Sequence, residues 1–147
     1  MKKLIIIVVI FLLGIVIFRL FIPKRTPERL LEYSLNISLK NFDYKIEKFE
    51  DHWLYNLTGD GHVLIIFKFN KLTQDNIDYL KGFGLKTLPI SEEVQKRMWN
   101  NMPPNEFQKS VSGYYIYKRL SEQDIRDFKI FIVDTLKQTA VLYYQYE

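Results

Sequence analysis

The chain has 147 residues with 21 Lys and Arg against 17 Asp and Glu, and no cysteine. That length allows one domain plus an anchor, and the missing thiols exclude disulfides, Cys-ligated zinc and thiol catalysis. Three of the basic residues, Lys2, Lys3 and Arg19, fall in residues 1–23, which leaves 18 basic and 17 acidic residues beyond them. The basic balance therefore belongs to the N-terminal segment, and nothing suggests a nucleic-acid partner, which needs a surplus of Lys and Arg on one face.

Leu4 to Phe18 carries no charge, and only Gly14 in it is not strongly apolar. After Arg19 the run continues through Ile22 to Pro23. At ~1.5 Å per residue, residues 4–22 span about 28 Å, close to a hydrocarbon core of ~30 Å. Arg19 lies near one end, where its stem reaches the headgroups. No small residues suited to signal cleavage follow, so the expectation is an uncleaved transmembrane signal-anchor over 1–23 inserted in a lipid bilayer. Lys2 and Lys3 balance Lys24, Arg25 and Arg29 across it. The short N-terminal tail favours the N-terminus inside and the domain outside the cytoplasm, at a bacterial inner membrane facing the periplasm or at the cell surface.

Thr26-Pro27-Glu28 is a helix start, so residues 24–35 read as a short linker helix ending near Glu32 or Tyr33. Residues 36–147 read as one α+β domain. Ile37 and Leu39, then Phe42, Tyr44 and Ile46, alternate with polar neighbours in opposite parity, with a bulge or break near Lys40-Asn41. Trp53, Tyr55 and Leu57 alternate again, Thr58-Gly59-Asp60-Gly61 signals a turn, and Val63 to Phe69 is an interior strand. Residues 36–69 are thus expected to form three or more strands.

Two helices follow. Leu72, Thr73 and Ile77 fit a hydrophobic staple, with Gly82 or Gly84 ending that helix. Ser91 caps the next, Val94, Met98 and Met102 share its face, and Pro103-Pro104 stops it. Tyr114 to Lys118 reads as a strand, about 122–127 as a helical turn, and Lys129–Asp134 with Thr139–Tyr146 as a hairpin. Strands, helices, then strands argue an α+β class with a mostly antiparallel sheet and two or three short helices behind the transmembrane helix.

The chemistry legible in the motifs is sparse. A tight turn at 58–61 would set His52 about five residues past the point opposite His62, some 17 Å at ~3.4 Å per residue, too far to share an ion. Asn56 to Gly61 matches half of a calcium loop but places Phe67 where a bidentate carboxylate is required. Gly82-Phe83-Gly84 lacks a third glycine, and no nucleophile elbow occurs. Clustered acids, Glu47 with Glu50 and Asp51, and Asp124 with Asp127, are interleaved with basic residues. Asn36-Ile37-Ser38 and Asn56-Leu57-Thr58 match the glycosylation acceptor pattern. Neither a metal nor another cofactor is expected.

Tyrosines are the compositional oddity. Tyr114, Tyr115, Tyr117, Tyr143, Tyr144 and Tyr146 crowd two late strands. They read either as cross-strand aromatic pairs or as an exposed face for a protein partner, since Tyr offers contact area at low entropic cost. Sortase-like and thioredoxin-like enzymes are excluded by the lack of Cys. The functional expectation is a non-catalytic protein-interaction module at the cell envelope, of the inhibitor or immunity type or a complex subunit. The alternatives are a tethered hydrolase using His52, His62, Asp51 and Asp60, and a structural spacer in an envelope assembly.

Overall fold

The computed structural model describes residues 13, 25–52, 61–99, 110, 112–120 and 127–146. Apart from Leu13, the expected membrane span over 4–22 lies outside them, as do Trp53 to Asp60 and residues 122–126 of the expected helical turn. No helix among the described residues is long and apolar enough to cross a membrane.

The described residues form a small domain of three helices and a six-stranded, wholly antiparallel sheet. In chain order come α1 (Pro27–Leu35), β1 (Asp43–Asp51), β2 (Gly61–Lys71), α2 (Gln74–Lys81), β3 (Lys86–Thr87), α3 (Glu92–Trp99), β4 (Gly113–Arg119), β5 (Phe128–Asp134) and β6 (Thr139–Tyr146). The sheet order is β1-β2-β6-β5-β4-β3. The C-terminal strand is therefore inserted beside β2, where both neighbours satisfy its backbone.

Local chemistry fixes the helices. Thr26 caps α1, its hydroxyl accepting from the Arg29 N–H, with Pro27 in the first turn. That helix ends on Asn36 at φ 61°, the left-handed conformation that Asn tolerates, with the Asn36 N–H donating to the Glu32 carbonyl. Thr73 and Asn76 cap α2 reciprocally: the Thr73 hydroxyl accepts from the Asn76 N–H, and the Asn76 side-chain oxygen accepts from the Thr73 N–H. Leu80 is the residue that α2 buries, whereas Ile77 is only half-buried.

Both faces of the sheet are covered, so its central strands are nearly continuous apolar runs rather than alternating ones. One face carries Val63, Ile65, Phe67, Phe69, Ile116, Phe131, Val133, Ala140 and Leu142 under Leu30, Leu31 and Leu35 of α1, Ile37, Leu39, Phe42 and Leu80. The other carries Leu64, Tyr115, Phe128, Ile130, Ile132, Val141 and Tyr143 under Leu88, Val94 and Met98. The helix expected as a linker is thus part of the core, and Leu31 is fully buried.

One sequence expectation is corrected here. Ile37 and Leu39 belong to no strand; they are buried plugs in the segment between α1 and β1. Their alternation came from every second residue meeting the core, not from a sheet ladder. Two of the strands expected in residues 36–69 are described, β1 and β2; the one expected over Trp53, Tyr55 and Leu57 lies outside the described residues. The expected break near Lys40-Asn41 is a turn that precedes β1.

Candidate metal centre at the end of the first hairpin

β1 and β2 pair in antiparallel register from Asp43↔Lys71 to Asp51↔Val63, with irregularities at Asp43/Tyr44 and Ile46/Lys48. The second irregularity adds one residue to β1, Glu47, and so sets the parity of the strand's last turn of pleat. Beyond it, Glu50 lies opposite Leu64, on the sheet face that Tyr143 and Val141 share. His52 follows two residues later and has the same facing.

The pairing continues past the strand end. The His52 N–H donates to the His62 carbonyl at 3.0 Å, and the two imidazoles stand 4.5 Å apart, centroid to centroid, at 37°. Glu50, His52 and His62 each direct one ligand atom so that all three lie within 4.8 Å of one another. The expected separation of about 17 Å at ~3.4 Å per residue is therefore overturned. β1 ends at Asp51 and β2 begins at Gly61, which already pairs with Tyr146 inside the sheet, so Gly61 is not part of a turn.

His62 is half-buried and His52 exposed. Burial pushes the His62 pKa down, the neighbouring His52 pushes it further, and Glu50 partly opposes them. A neutral imidazole offers a lone pair at neutral pH, which is the form a metal takes. The ring of His62 also lies 6.0 Å from that of Tyr143, and the Tyr143 hydroxyl donates to Gln145 Oε1 at 3.1 Å. Glu50 is paired with Lys48 at 3.2 Å, both side chains more than a third exposed. Such an exposed pair is worth about 0–1 kcal/mol and holds the carboxylate only weakly.

Asp51, a residue considered with these histidines, takes no part. It faces the opposite side and is bound by Arg25 at 3.2 Å. Asp60 lies outside the described residues.

The tyrosines do not form one face. Tyr115 and Tyr143 are buried and sit with Tyr117 on the α3 side, while Tyr144 packs against the opposite cluster. Tyr114 pairs with Val133, also of that opposite cluster. Only Tyr114, Tyr117 and Tyr144 are half-exposed, and the side chain of Tyr146 lies outside the description. The Tyr115 hydroxyl accepts from the Ser91 N–H at 3.2 Å and so holds the start of α3. Burial raises the pKa of Tyr117, Tyr143 and Tyr144. In a sheet covered on both sides, Tyr115 and Tyr143 are spent on packing, while Tyr114, Tyr117 and Tyr144 keep part of their surface exposed. Comparison with protein-family models, with curated proteins and with solved structures gives no match for this chain.

Proposed function

We propose that this chain is a membrane-tethered protein-interaction module that acts at the cell envelope without catalysis, as an inhibitor or immunity-type protein or as a subunit of an envelope complex. Its anchor is residues 4–22, with the N-terminus inside and the domain outside the cytoplasm. The observation that carries this reading is the mounting of the domain. α1 begins at Pro27 and is pinned to the sheet by three core leucines, with only four residues between it and Ile22 at the end of the apolar run. Arg25 is further tied to Asp51. A bilayer-bound segment joined so directly would confine the domain to a thin layer at the membrane surface. Confinement raises the effective concentration toward any membrane partner, so modest contact area can suffice.

The contact surface would draw on Tyr144 and on Tyr33, which is 87% exposed on α1, the helix that covers the sheet face where Tyr144 packs. The test is capture of partners from detergent-solubilised membranes with the full chain, against a control bearing only residues 1–35. A specific protein retained by the full chain and lost on Tyr33→Ala with Tyr144→Ala supports the reading. The same protein set on chain and control contradicts it.

One observation favours the second reading, a membrane-tethered hydrolase: His52 and His62 stand ring to ring beside Glu50. Turnover of ester or phosphoester substrates by the purified chain, abolished by His62→Gln, would replace the first reading with the second.

A further inference from the structure

We infer that Glu50, His52 and His62 bind one divalent transition-metal ion of the zinc class, with a fourth coordination position left open. This stands apart from the proposed interaction role and uses none of its residues.

The donor set is two imidazoles and one carboxylate, a combination that zinc sites with three protein ligands use. Imidazole suits zinc, copper, nickel and cobalt, whereas calcium and magnesium take oxygen-only shells. The backbone supplies the preorganisation. Glu50 and His52 are two apart on one strand and share a face. His62 comes from the neighbouring strand, held opposite by the His52 N–H to His62 carbonyl bond of 3.0 Å. Metal–ligand bonds of 2.0–2.1 Å at tetrahedral angles put ligand atoms about 3.4 Å apart. The three atoms here are within 4.8 Å of each other, so rotation of the exposed His52 ring and of the Glu50 carboxylate closes the set without moving backbone.

Lys48 pairs with Glu50 at 3.2 Å. It is displaced at small cost, since the pair is exposed. The bound ion would bridge β1 and β2 where the sheet ends and residues 53–60 begin. Gln145 stands opposite His62 in the β2–β6 register, with its Oε1 already engaged by Tyr143. Among the described residues the ligand set is Glu50, His52 and His62 alone, which leaves the fourth position to water or to another donor.

The experiment is a zinc titration of the full chain in detergent, read by competition with a chromophoric chelator and repeated with cobalt for its ligand-field bands. The expected result is one zinc per chain. His52→Gln and His62→Gln should each weaken binding more than about 100-fold, beyond the 10–100-fold that losing an outer partner of a metal ligand costs. His52 is exposed, so its variant keeps the fold even if that of His62 does not. Calcium in large excess should not compete. Absence of saturable zinc binding at micromolar concentrations, or binding unchanged in His52→Gln, overturns the inference.

Discussion

Replacement of Gly113 by Ala should be the most damaging single-methyl change in the domain. Gly113 opens β4 at φ +135°, a conformation that residues with a Cβ rarely adopt. A Cβ built there meets the Val133 carbonyl oxygen at 2.0 Å and the Thr135 nitrogen at 3.1 Å. Neither neighbour can yield alone. Val133 is a fully buried residue of β5, and Thr135 donates to the Ser112 carbonyl at 3.0 Å. The Gly113 carbonyl also accepts from the Leu88 N–H at 2.9 Å, tying in the approach to α3. The backbone conformation costs about 1–3 kcal/mol and the overpacking another ~1–3 kcal/mol. The stiffer unfolded chain returns roughly 0.4–1 kcal/mol. The net loss is about 1–6 kcal/mol, set against the ~5–15 kcal/mol by which domains are stable. Gly84 is the internal control, because its φ is +79° and a Cβ there meets nothing within 4 Å. Gly84→Ala should cost no more than ~1.5 kcal/mol, the left-handed penalty less the unfolded-state gain. Urea unfolding of both variants, followed by far-ultraviolet circular dichroism, gives the difference. If Gly113→Ala lost no more stability than Gly84→Ala, the tight β4–β5 corner would be refuted.

Asp134 is 1% exposed and accepts from the Leu136 N–H at 3.0 Å and the Lys137 N–H at 2.8 Å. Asp134→Ala should therefore cost about 1–3 kcal/mol in urea unfolding, the penalty of stranding those donors, and Asp134→Asn should recover most of it; equal losses in both would show that the carboxylate charge, not the turn, matters. Burial is the first cause that raises the pKa of Tyr44, Tyr117, Tyr143 and Tyr144 above 10.0. Between 10.0 and the folded values the native state holds protons that the unfolded chain has lost, so this stability is complete below pH 10 and drains away above it. Lys129, lowered by burial and by Lys118, works in the opposite sense, but one lysine stands against four tyrosines. The urea midpoint should fall as pH climbs past 10, in step with tyrosinate absorbance; a rising midpoint would contradict the burial of these rings.

The parts of the fold that were legible in the sequence are those written in local chemistry. Thr26-Pro27, Thr73 with Asn76 and Ser91 before Glu92 are capping signals that act within one turn, and each precedes a helix. The β5–β6 hairpin was legible because two long apolar runs flank a short polar turn, Thr135 to Gln138. Pairing across longer connections was not. The strand pattern of Trp53, Tyr55 and Leu57 together with the Thr58–Gly61 turn signal hid the register that joins His52 to His62. The alternation of Ile37 and Leu39 looked the same whether the core above them was a sheet or a cluster of side chains. β3, at two residues, is too short to carry any period. The tyrosines showed which rings share a strand face. They could not show that α3 would cover one face and α1 the other, so that Tyr115 and Tyr143 would be buried.

Membrane fractionation of cells making the full chain, with alkaline carbonate washing of the pellet, bears most directly on the tether. The account predicts that the chain stays in the washed membranes and that its domain is cut by protease added from outside. It also predicts release into the soluble fraction when residues 4–22 are replaced by a polar sequence. Recovery of the unaltered chain in the carbonate supernatant would contradict it.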